Sequence, residues 1–325
     1  MKKENIKMRW YTKTFIIIGS IFGGLFSLIL VTLLSFNIAK IFIYSDYYSV
    51  REIVCTNNGL GNNFVSQGTA ITNNGKYIIT SGYMSNKAAS RVYITEIESG
   101  KYTFVSLEKE EGVKSTYHFG GVAVSGDTIY LAANRSIYTI SLENAIESET
   151  ITIKKIASVN CSASYIFCDD TYLYVGEFFD GGQYKTNNSF EYNGRAYNAL
   201  VEKYAIGSYD SPQAVYWVRD RVQGFAMNEL GDVVLSTSYG ITSSIYYYYK
   251  NNAIIPTGAE LFGAPTYVLE TEHLTLNGPA MSEDLDYLDG KFYTNFETAS
   301  NKYIFGKFFF NADKIVSLDF SKLGK

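Results

Sequence analysis

Apolar and polar residues alternate along most of this chain in short runs, and the runs recur with one grammar. Residues 66–80 read SQGTAITNNGKYIIT, and residues 222–236 read VQGFAMNELGDVVLS. In both, Gln-Gly-x-Ala leads an apolar stretch, a polar turn containing Gly follows, and a second apolar stretch completes a hairpin. Weaker copies stand at 119–133, 162–178 and 281–297. Period-two alternation bounded by turn residues predicts strands. Each hairpin is followed by one more alternating run, at 91–97, 136–142, 199–205, 244–250 and 314–320. Helical periodicity is almost absent from these regions, with residues 141–149 the one short exception.

The turn residues Gly75, Gly126, Asp169–Asp170, Gly231 and Gly290 recur every 45–60 residues or so, which marks a repeat architecture. Units of three or four strands at this period are propeller blades. A single blade cannot cover its own apolar faces, whereas radial packing against neighbours can. An all-β fold, a five-bladed β-propeller, is expected. Residues 251–280, or completion by the N-terminal strand, leave room for a sixth blade. A β-sandwich is the competing architecture, and it gives no reason for a repeated Gln-Gly-x-Ala.

The N-terminus is patterned differently. Residues 1–13 carry Lys2, Lys3, Lys7, Arg9 and Lys13 against Glu4, and residues 14–39 carry no charge. That uncharged run exceeds the roughly 20 residues a bilayer core requires. It is too long for the apolar region of a signal peptide, and no small-x-small cleavage site follows it. One N-terminal transmembrane signal-anchor is therefore expected over a cleaved leader. The basic flank places residues 1–13 in the cytoplasm and the rest outside. Residues 40–54 read as a juxtamembrane linker running into a first strand, and 55–325 as the extracytoplasmic domain.

Composition sharpens this picture. Apolar residues make up 46% of the 325 and aromatics 16%, with 29 Tyr and 21 Phe, a core suited to pleated surfaces. The chain is −4 overall while residues 1–13 are +4, so the outer part is −8. That balance excludes nucleic acid as a partner, because phosphate backbones demand basic patches. Cys55, Cys161 and Cys168 form no zinc-like spacing. Cys161 and Cys168 straddle a strand and stand too far apart to pair; all three are expected as small core residues, with a Cys55 disulfide the alternative.

The order of motifs carries a resemblance. Gln-Gly-x-Ala at 67–70, SGYMSNKAASRVYI at 81–94, HFGGVAVSGDTIYLA at 118–132, YLYVGEF at 172–178, RVQGFAM at 221–227, PAMSED at 279–284 and FETASNKY at 296–303 together resemble a group of bacterial secreted or membrane-anchored β-propeller proteins. The resemblance spans about residues 64–320 and implies an extracytoplasmic propeller without naming a reaction. More distantly, the hairpins are similar to those of calcium-dependent lactonase and strictosidine-synthase-like propellers, whose metal ligands have no matching positions here.

In such a fold the first strand of each blade lines the axis. The blade-start positions are Gln67, His118, Ser164, Gln223 and Glu283. Ends of second strands add Arg135, Glu177 and Glu297, and the loop after Tyr83 adds Lys87 and Arg91. Gathered at one mouth, these would form a polar funnel. Glu177, Glu283 and Glu297 could supply hard oxygen ligands to Ca²⁺, joined by Gln67 or Gln223. Two of them could instead serve as acid and base in hydrolysis. Paired with Arg91, Arg135 and Lys302, they would form a structural polar core. Repetition favours a structural role for both Gln-Gly pairs, with Gly permitting close approach of inner strands. No Gly-x-Ser-x-Gly elbow or glycine-rich phosphate loop is present. The run Tyr246–Tyr249 is expected to pack between blades, with alternate residues outward. The polar insertion at 180–195 suits a partner contact. The expectation is a cell-surface binding or scaffold module for a wall polymer, small polar ligand or protein partner; the alternative is a calcium-dependent hydrolase or lactonase.

Overall fold

A computed structural model describes residues 2–323, with side chains from residue 10. It divides into two compact units, 1–45 and 46–325. The first is a single helix, Lys2–Ile43, of which Trp10–Ile43 is long and apolar enough to cross a membrane. Its apolar side chains, Phe15, Phe22, Phe26 and Phe42 among them, are exposed all round, as suits lipid rather than a protein core. The hydroxyls of Thr14 and Thr32 and the amide of Asn37 donate to carbonyls four residues earlier. Such back-bonding leaves few polar groups for a bilayer to satisfy.

The second unit is a five-bladed propeller. Blade I is built from Phe64–Ile71, Tyr77–Met84, Arg91–Glu96 and Tyr102–Glu110, blade II from Gly121–Ser125, Thr128–Ala133, Ser136–Ser141 and Lys154–Ser158. Blade III takes Tyr165–Cys168, Tyr172–Gly176, Ala199–Ala205 and Ala214–Val218, and blade IV Val222–Met227, Val233–Thr237, Ser244–Tyr249 and Leu274–Gly278. Blade V combines Ser282–Leu288, Lys291–Phe296 and Lys314–Leu318 with the N-terminal strand Arg51–Thr56. All five repeated hairpins are the two innermost strands of a blade, and the run after each is the third. Their turns need left-handed backbone, which Gly75, Gly126, Gly231 and Gly290 supply and which Asp170 adopts at φ 68°.

Among the described residues no sixth blade forms. The segment 251–280 is divided: Ile254–Leu261 and Ala264–Leu269 extend blade III, the latter parallel to Ala214–Val218, and Leu274–Gly278 closes blade IV. The stretch read as a linker contains the end of the long helix, a short helix Ser45–Val50 and the start of the closing strand.

The five innermost strands contact one another in a closed ring. Glycine makes that approach possible. A Cβ on Gly68 would lie 2.5 Å from the main-chain N of Val122 in blade II, and one on Gly224 2.6 Å from that of Leu285 in blade V. Apolar layers fill the wedges between blades, such as Ile79, Val92, Leu107, Phe119 and Leu131 between blades I and II. Tyr246, Tyr248 and Tyr249 are buried, and Tyr247 is half-buried beneath the Arg219 guanidinium, so this run has no outward pair. All three cysteines are free, and burial pushes the thiols of Cys55 and Cys168 up to about 12.

Candidate functional site

The repeated glutamines stand at a backbone irregularity. In blade I Ser66 faces Gly82 and Gly68 faces Ser81, leaving Gln67 without a cross-strand partner. Blade IV does the same at Gln223, and blade V has its register shift at Glu283–Asp284. A bulge re-aims the extra residue out of the ladder, here at the start of each inner strand.

Around Gln67 the structure assembles a polar relay. Its Nε2 donates to the Ser66 carbonyl at 3.1 Å and to Glu297 Oε2 at 2.8 Å. With both amide hydrogens committed, Oε1 is the acceptor, and His118 Nε2 donates to it. The protein packed around the ring and the charge of Lys302 lower the His118 pKa, so the imidazole is neutral and Nδ1 is its acceptor. Tyr83 packs on the ring with centroids 4.3 Å apart, and Lys302 donates to the Tyr83 hydroxyl. On the far side, Glu297 meets Glu283. Burial and the charge of Glu297 raise Glu283 well above the usual carboxyl range; burial also raises Glu297, but only to about 7, because Tyr303, Lys302 and Gln67 favour its charged form. Glu283 therefore holds the shared proton and Glu297 the charge.

His118, Tyr83 and Lys302 face a cleft of about 690 Å³, whose lining also includes Lys87, Lys114 and Thr116. Three lysines converge there with no acidic side chain in the lining. Among the described residues none of the three is ion-paired. Lys114 Nζ rests on the Lys87 carbonyl at 3.0 Å.

The remaining expected residues lie elsewhere. Glu177, buried, accepts from Asn188 Nδ2 at 3.1 Å; burial raises its pKa to about 7 against the pull of Asn188 and the nearby Arg135. The Arg135 guanidinium donates to the Asn160 carbonyl at 2.6 Å. Ser164 Oγ bonds Ser162 Oγ and accepts from Phe178 N. Arg91 is on the third strand of blade I, over the Phe104 ring and bonded to Tyr93, and so takes no part in the funnel. Gln223 is half-buried on its own bulge. Among the described residues no three His, Cys, Asp or Glu side chains are placed to hold a metal ion, and Glu177 does not join Glu283 and Glu297.

Two residues unforeseen from sequence close the axis itself. Asp284 Oδ2 accepts from Val122 N of blade II, and Oδ1 from Leu285 N at 3.0 Å. Asp286 accepts from Ile71 N of blade I at 2.7 Å and from Tyr287 N at 2.8 Å. Both are buried. The acidic run Ser282–Asp286 was the available signal, read for Glu283 alone.

No family model and no curated protein matches this chain. Among solved structures it is similar to the PQQ-bound aldose sugar dehydrogenase of Streptomyces coelicolor, at 13% identity and TM-score 0.45, over 83% of this chain and 97% of that one. It is also similar to a gluconolactonase of Xanthomonas campestris, at 12% identity and TM-score 0.38, over 78% and 71%. A chain of the nidogen/laminin complex matches at 9% identity and TM-score 0.39, over 72% and 73%. The lactonase-like propeller resemblance stands at the level of fold alone.

Proposed function

We propose that this protein is a membrane-anchored, extracytoplasmic binding module that holds a small anionic ligand in the cleft beside His118. The observation that carries this reading is the convergence of Lys87, Lys114 and Lys302, unpaired, in one acid-free cleft on an otherwise acidic domain. Lysine ammoniums attract carboxylate or phosphate oxygens, the Tyr83 ring offers a flat apolar wall, and the relay through Gln67 fixes the imidazole. The basic N-terminal flank and the apolar helix Trp10–Ile43 support the anchor and its orientation.

Thermal shift of the full chain in detergent tests the ligand class. Phosphate and galacturonate are expected to raise Tm by several degrees at saturating concentration, since a native-state ligand stabilises, and Lys302→Ala is expected to abolish the rise. Equal shifts with glucose, or none with any anion, would sink the reading.

A second reading, acid–base hydrolysis, draws on the unequal protonation of Glu283 and Glu297, one holding a proton and its neighbour a charge. Glu283→Gln keeps the shape and removes the proton donor; hydrolysis of a lactone panel that survives this change would exclude it. Its calcium-dependent form asks for three glutamates about one point, where two are paired.

A further inference from the structure

The hydrogen bonds of Gln67 settle more than the position of the His118 ring; they settle which of its nitrogens carries the proton. Glu297 and the Ser66 carbonyl are both acceptors, so the Gln67 amide turns its Nε2 to them, at 2.8 and 3.1 Å. Its Oε1 is left to the imidazole, and an oxygen acceptor there requires the N–H on Nε2. The free lone pair is then on Nδ1. Among the described residues Nδ1 has no hydrogen-bond partner, and the ring is exposed where it lines the cleft. A buried carboxylate two hydrogen bonds away thus sets the polarity of an exposed ring.

An acceptor contrasts with the rest of this cleft. Lys87, Lys114 and Lys302 bring ammonium groups, which donate and have no lone pair to offer. A bare anion would satisfy the three ammoniums and set its own lone pairs against Nδ1. An anion that also carries a hydroxyl satisfies both, with oxygens on the ammoniums and O–H on the imidazole. The Thr116 hydroxyl, in the same lining, can take part with a second ligand hydroxyl. The cleft volume of about 690 Å³ is that of a whole small-molecule site, about 300–1,000 Å³, with room for a ring and its substituents.

We infer that the ligand is a polyhydroxylated carboxylate of the sugar-acid kind, its carboxylate on the lysines and one hydroxyl donating to His118 Nδ1. This inference rests on the reading that the cleft holds a small anion, and it narrows that reading. Gln67 is the positioning residue through which the site selects a hydroxyl. The cleft is open to water, so Nδ1 is solvated when empty and a ligand hydroxyl only replaces that water. The preference is therefore modest, about three- to tenfold, and not the roughly 10⁴-fold of closed sites whose polar groups go unpaired.

Isothermal titration of the full chain in detergent near neutral pH tests it with galacturonate and tetrahydropyran-2-carboxylate. The two share ring, ring oxygen and carboxylate and differ in their hydroxyls. Galacturonate is expected to bind about three- to tenfold tighter. His118→Phe keeps a flat ring beside Tyr83 without a lone pair, and is expected to bring the ratio of affinities within about twofold. Equal affinities in the unsubstituted chain, or an unaltered ratio in His118→Phe, overturn the inference and leave the anion site standing. Failure of both ligands to bind strikes the anion reading, and the inference with it. Nitrogen-15 NMR of histidine-labelled protein gives a readout that needs no change at position 118. The chain has two histidines, so His273→Gln leaves the signals of His118 alone. A pyridine-like Nδ1 and a pyrrole-like Nε2 are expected, with both tautomers populated when Gln67→Leu is added. A pyrrole-like Nδ1, a doubly protonated ring in the galacturonate complex, or a tautomer indifferent to Gln67→Leu overturns the inference.

Discussion

Asp284 of blade V reaches across the axis to the main-chain N–H of Val122 in blade II, 3.1 Å away. Blade I lies between them in the ring, so this bond ties non-adjacent blades. An inner-strand edge turned towards the axis has donors with no ladder partner, and a buried unpaired N–H costs about 1–3 kcal/mol. Asp284→Ala is therefore expected to lower stability by about 1–3 kcal/mol for each main-chain donor it leaves unpaired. Asp284→Asn, which keeps one acceptor but turns an amine towards N–H donors, is expected to cost less. Chemical denaturation with a common m-value checks both; an alanine variant within about 0.5 kcal/mol of the parent would refute this account of the axis.

The buried carboxyls make a pH prediction. Burial lifts Glu177 and Asp286 to about 7, above their unfolded values near 4. A raised folded-state pKa means that the native state binds the extra proton, so the stability it contributes is present in full below about pH 4 and lost as pH rises through 7. The paired surface carboxylate Glu52, lowered to about 2 by Lys291 and Lys322, opposes this trend only at lower pH. Stability, and with it Tm, is expected to be higher at pH 5 than at pH 8, and Glu177→Gln is expected to shrink the stability difference by about 1–3 kcal/mol at one pKa unit per 1.36 kcal/mol. Scanning calorimetry at the two pH values decides the sign.

Glu283 is expected to tolerate loss of its charge. Because it holds the proton in the pair with Glu297, Glu283→Gln preserves a donor towards the Glu297 carboxylate and should leave stability unchanged at pH 6 and raise it at pH 8. Glu297→Gln is expected to destabilise at both, since it leaves one acceptor oxygen where the carboxylate has two to serve Gln67 Nε2 and Tyr303, and turns an amine towards the other donor. Equal losses for the two would mean that the proton sits elsewhere.

At Gly68 the limit is steric. Its φ is ordinary, so Gly68→Ala strains no torsion, but the new methyl must displace Val122 N and the Gly121 main chain. Overpacking of this kind costs about 1–3 kcal/mol, whereas Gly100→Ala, facing open space at φ 68°, costs only its left-handed backbone. A urea series on the two variants separates clash from torsion.

The blade plan was legible because the hairpin grammar is local: turn residues, alternation and a third strand follow one another in sequence. Gln67 and His118 were legible as blade-start positions for the same reason. What escaped is what depends on the angle between blades. Glu177 ends a second strand as Glu297 does, yet it turns to Asn188 and Arg135 while Glu297 turns to Gln67, and nothing in either local sequence distinguishes the two. Asp284 and Asp286 alternate along a strand as solvent-facing acids do; only closure of the ring gives them main-chain donors. Arg91 was misplaced because it begins a third strand, away from the axis, rather than extending the loop before it.

Blade V is assembled from the two extremes of the propeller's sequence, Arg51–Thr56 lying against Lys314–Leu318. A ribosome delivers Thr56 258 residues before Lys314, an interval of roughly 10–50 s at 5–20 residues per second. Throughout it the first strand made has no partner, and in sequence it follows closely on the long apolar helix Lys2–Ile43. The ring can then lock only after Lys314–Leu318 has been made, so errors in that strand would surface as slow maturation of the whole propeller rather than as damage to one blade.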